Sequence, residues 1–310
     1  MSCTSTRKSV AALVLAFALA ASAGAQSSHP SFDVQVTGTG PAIVLIPGLL
    51  STGEVWETTV ARYKDRYSLH VLTLAGFGGP APIGTPFLSR VRDELIGYLK
   101  GVQGLQGTLG ERSVPSDRPI LVGHSLGGFL SFWVAATAPD LVGGVVAVDG
   151  VPFLPALVNP AATADSATAQ GEQIRTLYAS FTTDQLVSQS RMALGTMITA
   201  PADVERALAW VRVSDPATAG IAVAELMSTD LRPTVGAITA PTLLIGASGA
   251  APETMQPAFQ KAYELQVAGV SKARVIMATK ARHFIMFDDP AFLFAALDEF
   301  LASAAAGQSR

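Results

Sequence analysis

ILVGHSLGGF, residues 120–129, is the stretch on which the reading of this chain turns. Ile120, Leu121 and Val122 are apolar, and two of the three are β-branched, so they read as the end of a buried strand. Gly123-His124-Ser125-Leu126-Gly127 follows, and residues 126–138 carry a helical pattern. A serine with glycine two residues before and two after, between a strand and a helix, fits the G-x-S-x-G turn. The glycines have a steric cause. The serine sits on a sharp, strained turn that lifts its Oγ above the strand ends, and side chains at 123 and 127 would strike neighbouring backbone. The helix after it points free N–H groups and the positive end of its dipole at the serine, which favours negative charge there. Ser125 is the candidate nucleophile, and Gly123 and Gly127 form its elbow.

Outward from this turn, short apolar runs closed by turn residues read as strands at 32–36, 42–48, 69–79, 119–125, 143–150, 241–248 and 273–280. Helical patterns lie at 53–66, 86–102, 126–138, 254–268 and 290–304. Fully apolar strands alternating with helices imply an α/β fold, a mostly parallel sheet with helices on both faces. The rhythm breaks at 151–235, where no strand run occurs and helical patterns follow one another. This block is expected to be a helical cap or lid, inserted between a first core segment (26–150) and a second (236–310). GTGPAI (38–43) precedes a strand and not a helix, so it is no dinucleotide fingerprint.

The chain has 310 residues, 49% hydrophobic and 15% charged, with a net charge of −3. That composition suits a compact enzyme with a deep core. It gives no basic stripe for a nucleic-acid partner. Residues 1–25 read as a signal peptide: Arg7 and Lys8, then the apolar VAALVLAFALAASAG, then Ala23-Gly24-Ala25 as the cleavage site. The apolar run is short for a membrane span, so no stable span is expected after cleavage, and a periplasmic or secreted location follows. Losing Arg7 and Lys8 and no acids would take the charge from −3 to −5. Cys3 is the only cysteine and lies in the leader, so the mature chain is expected to have no disulfide or thiol chemistry. SVPSD (113–117) reads as a surface loop.

An acyl-transfer serine needs a base. Of the four histidines, only His283 falls in a loop just past a strand, where catalysis collects in open α/β sheets. His29 lies near the cleaved terminus, His70 opens a strand, and His124 points elsewhere on the turn. A tetrahedral intermediate needs two backbone donors. The Leu126 N–H is one candidate for the oxyanion hole. The other is the Leu49 N–H in PGLLST, where Gly48 lets the backbone approach closely.

The elbow, the Pro-Gly loop, AGFGG and HFIMFDDP together resemble the α/β-hydrolase superfamily, in its esterase and lipase-like branch with a helical cap. The resemblance covers about 32–150 and 236–305. It implies a Ser nucleophile; the Asp-nucleophile branches are disfavoured by Ser125. Such enzymes usually carry the triad acid just past the strand matching PTLLIG, but this chain reads IGASGAAPET, with no Asp. Two acids compete: Asp149, one strand after the nucleophile, and Glu253, with Asp215, Asp230 or no acid at all behind them. The expected activity is hydrolysis of a small, hydrophobic carboxylic ester through a seryl acyl-enzyme. The alternatives are lactone, thioester or carbon–carbon hydrolysis or perhydrolysis on the same triad, or a non-catalytic binding protein on a hydrolase scaffold. No cofactor or metal is implied: Asp288 and Asp289 before Pro290 read as a helix cap, not a metal pair. Phe153, Tyr178, Phe181, Met192, Met197 and Trp210 in the insertion are read as core first and as acyl pocket second.

Overall fold

Seven strands run side by side in one sheet, in the order β1-β3-β2-β4-β5-β6-β7. They are β1 (Phe32–Thr37), β2 (Ala42–Ile46), β3 (Ser68–Leu74), β4 (Ile120–His124), β5 (Gly144–Val148), β6 (Thr242–Ala247) and β7 (Ala273–Ala278). Only β1 is antiparallel, against β3; the rest are parallel. The computed structural model describes residues 29–108 and 118–308. The expected leader, Cys3 and the loop at 113–117 lie outside the described residues. The helices are α1 (Glu57–Tyr63), α2 (Leu88–Thr108), α3 (Leu126–Thr137), α4 (Ala164–Ala179), α5 (Thr183–Met197), α6 (Pro201–Arg212), α7 (Pro216–Ser228), α8 (Gln256–Gln266), α9 (Ile285–Asp288) and α10 (Pro290–Gln308).

The apolar strands are buried on both faces, and the pleat divides their side chains between two cores. Val44 and Ile46 of β2 join α2, α3, α7 and α8 in one core. Ile43 and Leu45 join α1, α5, α6 and α10 in the other. All five β2 residues are buried, so a continuous apolar run takes the place of an alternating one. Each such Leu, Ile or Val contributes roughly 1.5–3 kcal/mol of burial. The run read as a strand over 69–79 pairs only to Leu74. Beyond it Gly76 (φ 76°) and Gly78 (φ 83°) turn the chain through left-handed conformations.

α4–α7 lie between β5 and β6, inside the block expected to be inserted. Their attachments show where they sit. Asp215 N–H donates to Gly76 O (2.7 Å), and Trp210 Nε1 donates to Glu54 (2.8 Å). The Glu225 carboxylate accepts from the amides of Phe87 (2.8 Å) and Leu88 (2.6 Å), so a residue of α7 caps α2. The insertion therefore crosses the carboxyl ends of the strands, the edge that carries Ser125. No described helix is long and apolar enough to cross a membrane.

Two glycines on the same chain make a paired test. A Cβ on Gly127 would lie 2.2 Å from Ile46 O, whereas one on Gly97 in α2 would meet nothing within 4 Å. Gly97→Ala is expected to stabilise the fold by roughly 0.5–1 kcal/mol. Gly127→Ala should force β2 and α3 apart and lower the urea midpoint steeply. Denaturation of both variants followed by circular dichroism checks this.

Candidate active site

Ser125 takes φ 52° and ψ −116°, a backbone that non-glycine residues rarely adopt. Such a conformation costs about 1–3 kcal/mol and persists only where its surroundings over-determine it. Here they do. Ser125 N–H donates to Val148 O (2.9 Å), and Ser125 O accepts from Phe129 N–H (3.1 Å). A Cβ on Gly123 would fall 2.0 Å from Gly127 O, so the elbow is closed by backbone contact at both glycines. The sequence reading missed a third member of this contact. A Cβ on Gly150 would lie 2.2 Å from Ser125 O, so the chain leaving β5 also presses on the turn.

His283 lies in the loop after β7, and its Nδ1 is 2.6 Å from Asp149 Oδ2. Asp149 follows β5 directly, at φ 50°. Its side chain is 8% exposed and that of His283 23%. Asp149 Oδ1 accepts from the Ala247 amide (2.8 Å) and from the Tyr263 hydroxyl (2.5 Å). Among the described residues, Asp149 is the carboxylate that reaches His283. Glu253 does not: it stands exposed on the turn Glu253–Met255. Asp215 caps α7 through the Thr218 amide (2.7 Å), and Asp230 pairs with Arg232 (2.7 Å). The physical reason is adjacency. β5 and β6 are parallel neighbours, so a carboxylate at the end of β5 reaches over the end of β6, where the acid was first sought.

The loop after β2 lies against Ser125 and His124. A Cβ on Gly48 would come within 3.2 Å of Ser125 Cβ and 2.9 Å of His124 Nδ1. Leu50 carries the turn at φ 56°, which the sequence did not reveal. Among the described residues, no carbonyl or side chain accepts from the Leu49 or the Leu126 amide. Both are free to donate to a ligand oxygen.

His124 is fully buried beneath this site. Its Nε2 donates to His283 O (3.2 Å), and the two rings lie 4.7 Å apart. Burial, and then the nearby His283, hold its pKa well below 6.5, so it is neutral. It joins the elbow to the His283 loop. The other side of that loop is docked on the insertion. Arg282 donates to the carbonyls of Gly195 (3.0 Å) and Ile198 (3.2 Å) at the end of α5. Asp288 accepts from the amides of Thr199 (2.9 Å) and Arg282 (2.8 Å). Asp288 is thus a clamp, and of the two acids read as a cap only Asp289 caps α10, through Phe292 N–H (3.1 Å).

The aromatic residues of the insertion divide. Phe153 and Trp210 are buried, while Met192 and Met197 face outward. Tyr178 stacks on Phe181 at 5.4 Å and, like Leu50, packs against both cores. A groove of about 1040 Å³ lies between the 154–170 segment and α8, and its lining includes neither Ser125 nor His283.

A family model described as the alpha/beta hydrolase family matches residues 43–296. A 2-(acetamidomethylene)succinate hydrolase of Mesorhizobium japonicum is 32% identical over 124 residues, 40% of this chain and 41% of that protein. The match thus spans less than half of that relative's length. A pimeloyl-[acyl-carrier protein] methyl ester esterase of Nitrosomonas europaea is 25% identical over 69% of this chain and 79% of its own. The crystal structure of an enol-lactonase from Burkholderia xenovorans LB400 superposes with a TM-score of 0.66, covering 87% of this chain and 96% of that one at 17% identity, which speaks for the fold alone.

The buried His124 predicts a pH dependence of stability. Its folded pKa is depressed, so below about 6.5 the unfolded chain binds more protons than the folded one. The unfolding free energy is expected to fall as pH drops through 6.5 towards 5. His124→Gln should flatten that slope, with His70, also lowered by burial, supplying what remains. Urea titrations between pH 5 and 8 measure both.

Proposed function

Because this chain belongs to the alpha/beta hydrolase family, whose pattern spans residues 43–296, we propose that Ser125, His283 and Asp149 form a triad that hydrolyses a neutral, hydrophobic carboxylic ester. The observation that carries this reading is the 2.6 Å contact of Asp149 with His283 beside a strained serine elbow.

The chemistry follows from the groups present. Ser125 Oγ attacks the ester carbonyl while His283 Nε2 takes its proton. Asp149 fixes the ring with Nδ1 protonated and stabilises the imidazolium that forms. The tetrahedral oxygen is held by the amides of Leu49 and Leu126. His283 gives the proton to the departing alkoxide, and the alcohol leaves. Water, deprotonated by His283, then cleaves the acyl-enzyme and releases the carboxylic acid. Leu49 and Leu50, in the loop that lies against Ser125, are apolar, which favours a neutral acyl group over a charged one. The esterase among the relatives supports ester over amide. In this reading α4–α7 cap the site, and residues 1–25 direct the protein to the periplasm or the medium.

The test is hydrolysis of p-nitrophenyl esters from acetate to decanoate by protein beginning at Gln26. Wild type should turn over, with a chain-length optimum that sizes the acyl pocket, and Ser125→Ala should not. Asp149→Asn is expected to lower kcat on the order of 10³-fold or more while Ser125 stays open to labelling by a fluorophosphonate. Activity that survives Ser125→Ala would overturn the assignment. Hydrolysis confined to lactones or thioesters would keep the triad and change the substrate.

A further inference from the structure

We propose that Tyr263 is a positioning residue for the triad: its hydroxyl, together with the Ala247 amide, holds the Asp149 carboxylate against His283 and sets the pH range in which His283 works. This rests on the reading of Asp149 as the triad acid.

The two oxygens of Asp149 have separate partners. Oδ2 meets His283 Nδ1, and Oδ1 takes the Tyr263 hydroxyl and the Ala247 amide. A carboxylate with donors on both oxygens cannot rotate without losing one of them. Asp149 needs that restraint, because its own backbone sits at φ 50°, outside any strand or helix. Tyr263 reaches it from α8, across β6. A Cβ on Gly246 would lie 2.8 Å from Tyr263 Cδ1, so this glycine in β6 is the notch through which the ring passes. The ring is 5% exposed and forms part of the wall of the apolar groove lined by Met255, Phe259 and Ala262. It therefore stands between that groove and the carboxylate, in surroundings where a hydrogen bond to a charge is strong. Burial, with Asp149 beside it, pushes the Tyr263 phenol well above 10, so it remains a donor at working pH.

A phenylalanine would fill the same space, so packing alone does not account for the hydroxyl. Apart from His283 and Tyr263, the titratable groups near Asp149 face elsewhere. His124 is neutral and turned to the His283 carbonyl. Arg282 is spent on α5 carbonyls, Lys280 and Glu253 are exposed, and Lys261 pairs with Glu264 on the outer side of α8. Donation from Tyr263 disperses the charge on Asp149. Without it, the carboxylate holds a proton on His283 more firmly, and the base is lost at higher pH on acidification.

The test is the rate of Ser125 labelling by a fluorophosphonate between pH 5 and 9, which requires no knowledge of the natural substrate. In Tyr263→Phe the acid limb is expected to move upward by about half to one pH unit. Site-specific replacement of Tyr263 by 3,5-difluorotyrosine, a more acidic and stronger donor, should move it downward. A role in packing alone would change the urea midpoint and leave both limbs on that of wild type, which overturns the proposal. If Tyr263→Phe does not fold, the fluorinated protein decides alone, by a downward shift or by none. Asp149→Asn, run beside them, separates the two ideas. Labelling at the wild-type rate in that variant removes the acid itself. Slow labelling there with unmoved limbs in the Tyr263 variants removes only the proposal.

Discussion

Backbone contact at the carboxyl ends of β2, β4 and β5 is the constraint on which the rest of this molecule depends. Gly123, Gly127 and Gly150 let three chain segments touch around Ser125, where any Cβ would lie within about 2 Å of a carbonyl oxygen. That contact holds the serine in a conformation it would not adopt alone. It also brings the Pro47-Gly48 loop against the serine and starts α3 at Leu126, so Ser125 and both candidate oxyanion donors come from one packing event. The strain at Ser125 is small beside the burial on the two faces of the sheet, which is why the fold can carry it.

The second constraint is the position of Asp149. With Asp149 at the end of β5, the end of β6 has no carboxylate to supply and contributes a backbone amide and a notch at Gly246 instead. α8 then acquires a role through Tyr263, which reaches the carboxylate through that notch. Asp149, the Ala247 amide, Gly246 and Tyr263 thus form one set of neighbours in contact.

His283 is on a loop, yet the loop is held from two sides. His124 grips its carbonyl from below, and Arg282 and Asp288 fasten it to the end of α5 and to Thr199. The α5–α6 segment thus helps to place His283. A change in the α5–α6 corner would be felt at His283 through these bonds, without touching the serine.

Much of this was legible in the chain itself. Most of the strands could be read because they are short apolar runs closed by turn residues, while β1 showed itself by its alternation. The elbow could be read because its steric demand leaves a mark at fixed spacing, glycine at 123 and 127. His283 stood out because it follows the last strand. The choice between Asp149 and Glu253 could not be made from spacing, since the residues that decide it, Ala247 and Tyr263, lie 98 and 114 positions from Asp149. The same holds for Gly150, Leu50 and the clamp at Asp288, whose neighbours are distant along the chain or whose backbone angles leave no compositional trace. The sequence by itself determined the sheet and singled out Ser125 and His283 as candidates, because local sterics and apolar periodicity write those into nearby residues. Only the tertiary structure showed which carboxylate meets His283 and what holds it there, because a hydrogen bond between remote segments depends on which strand ends come to lie side by side.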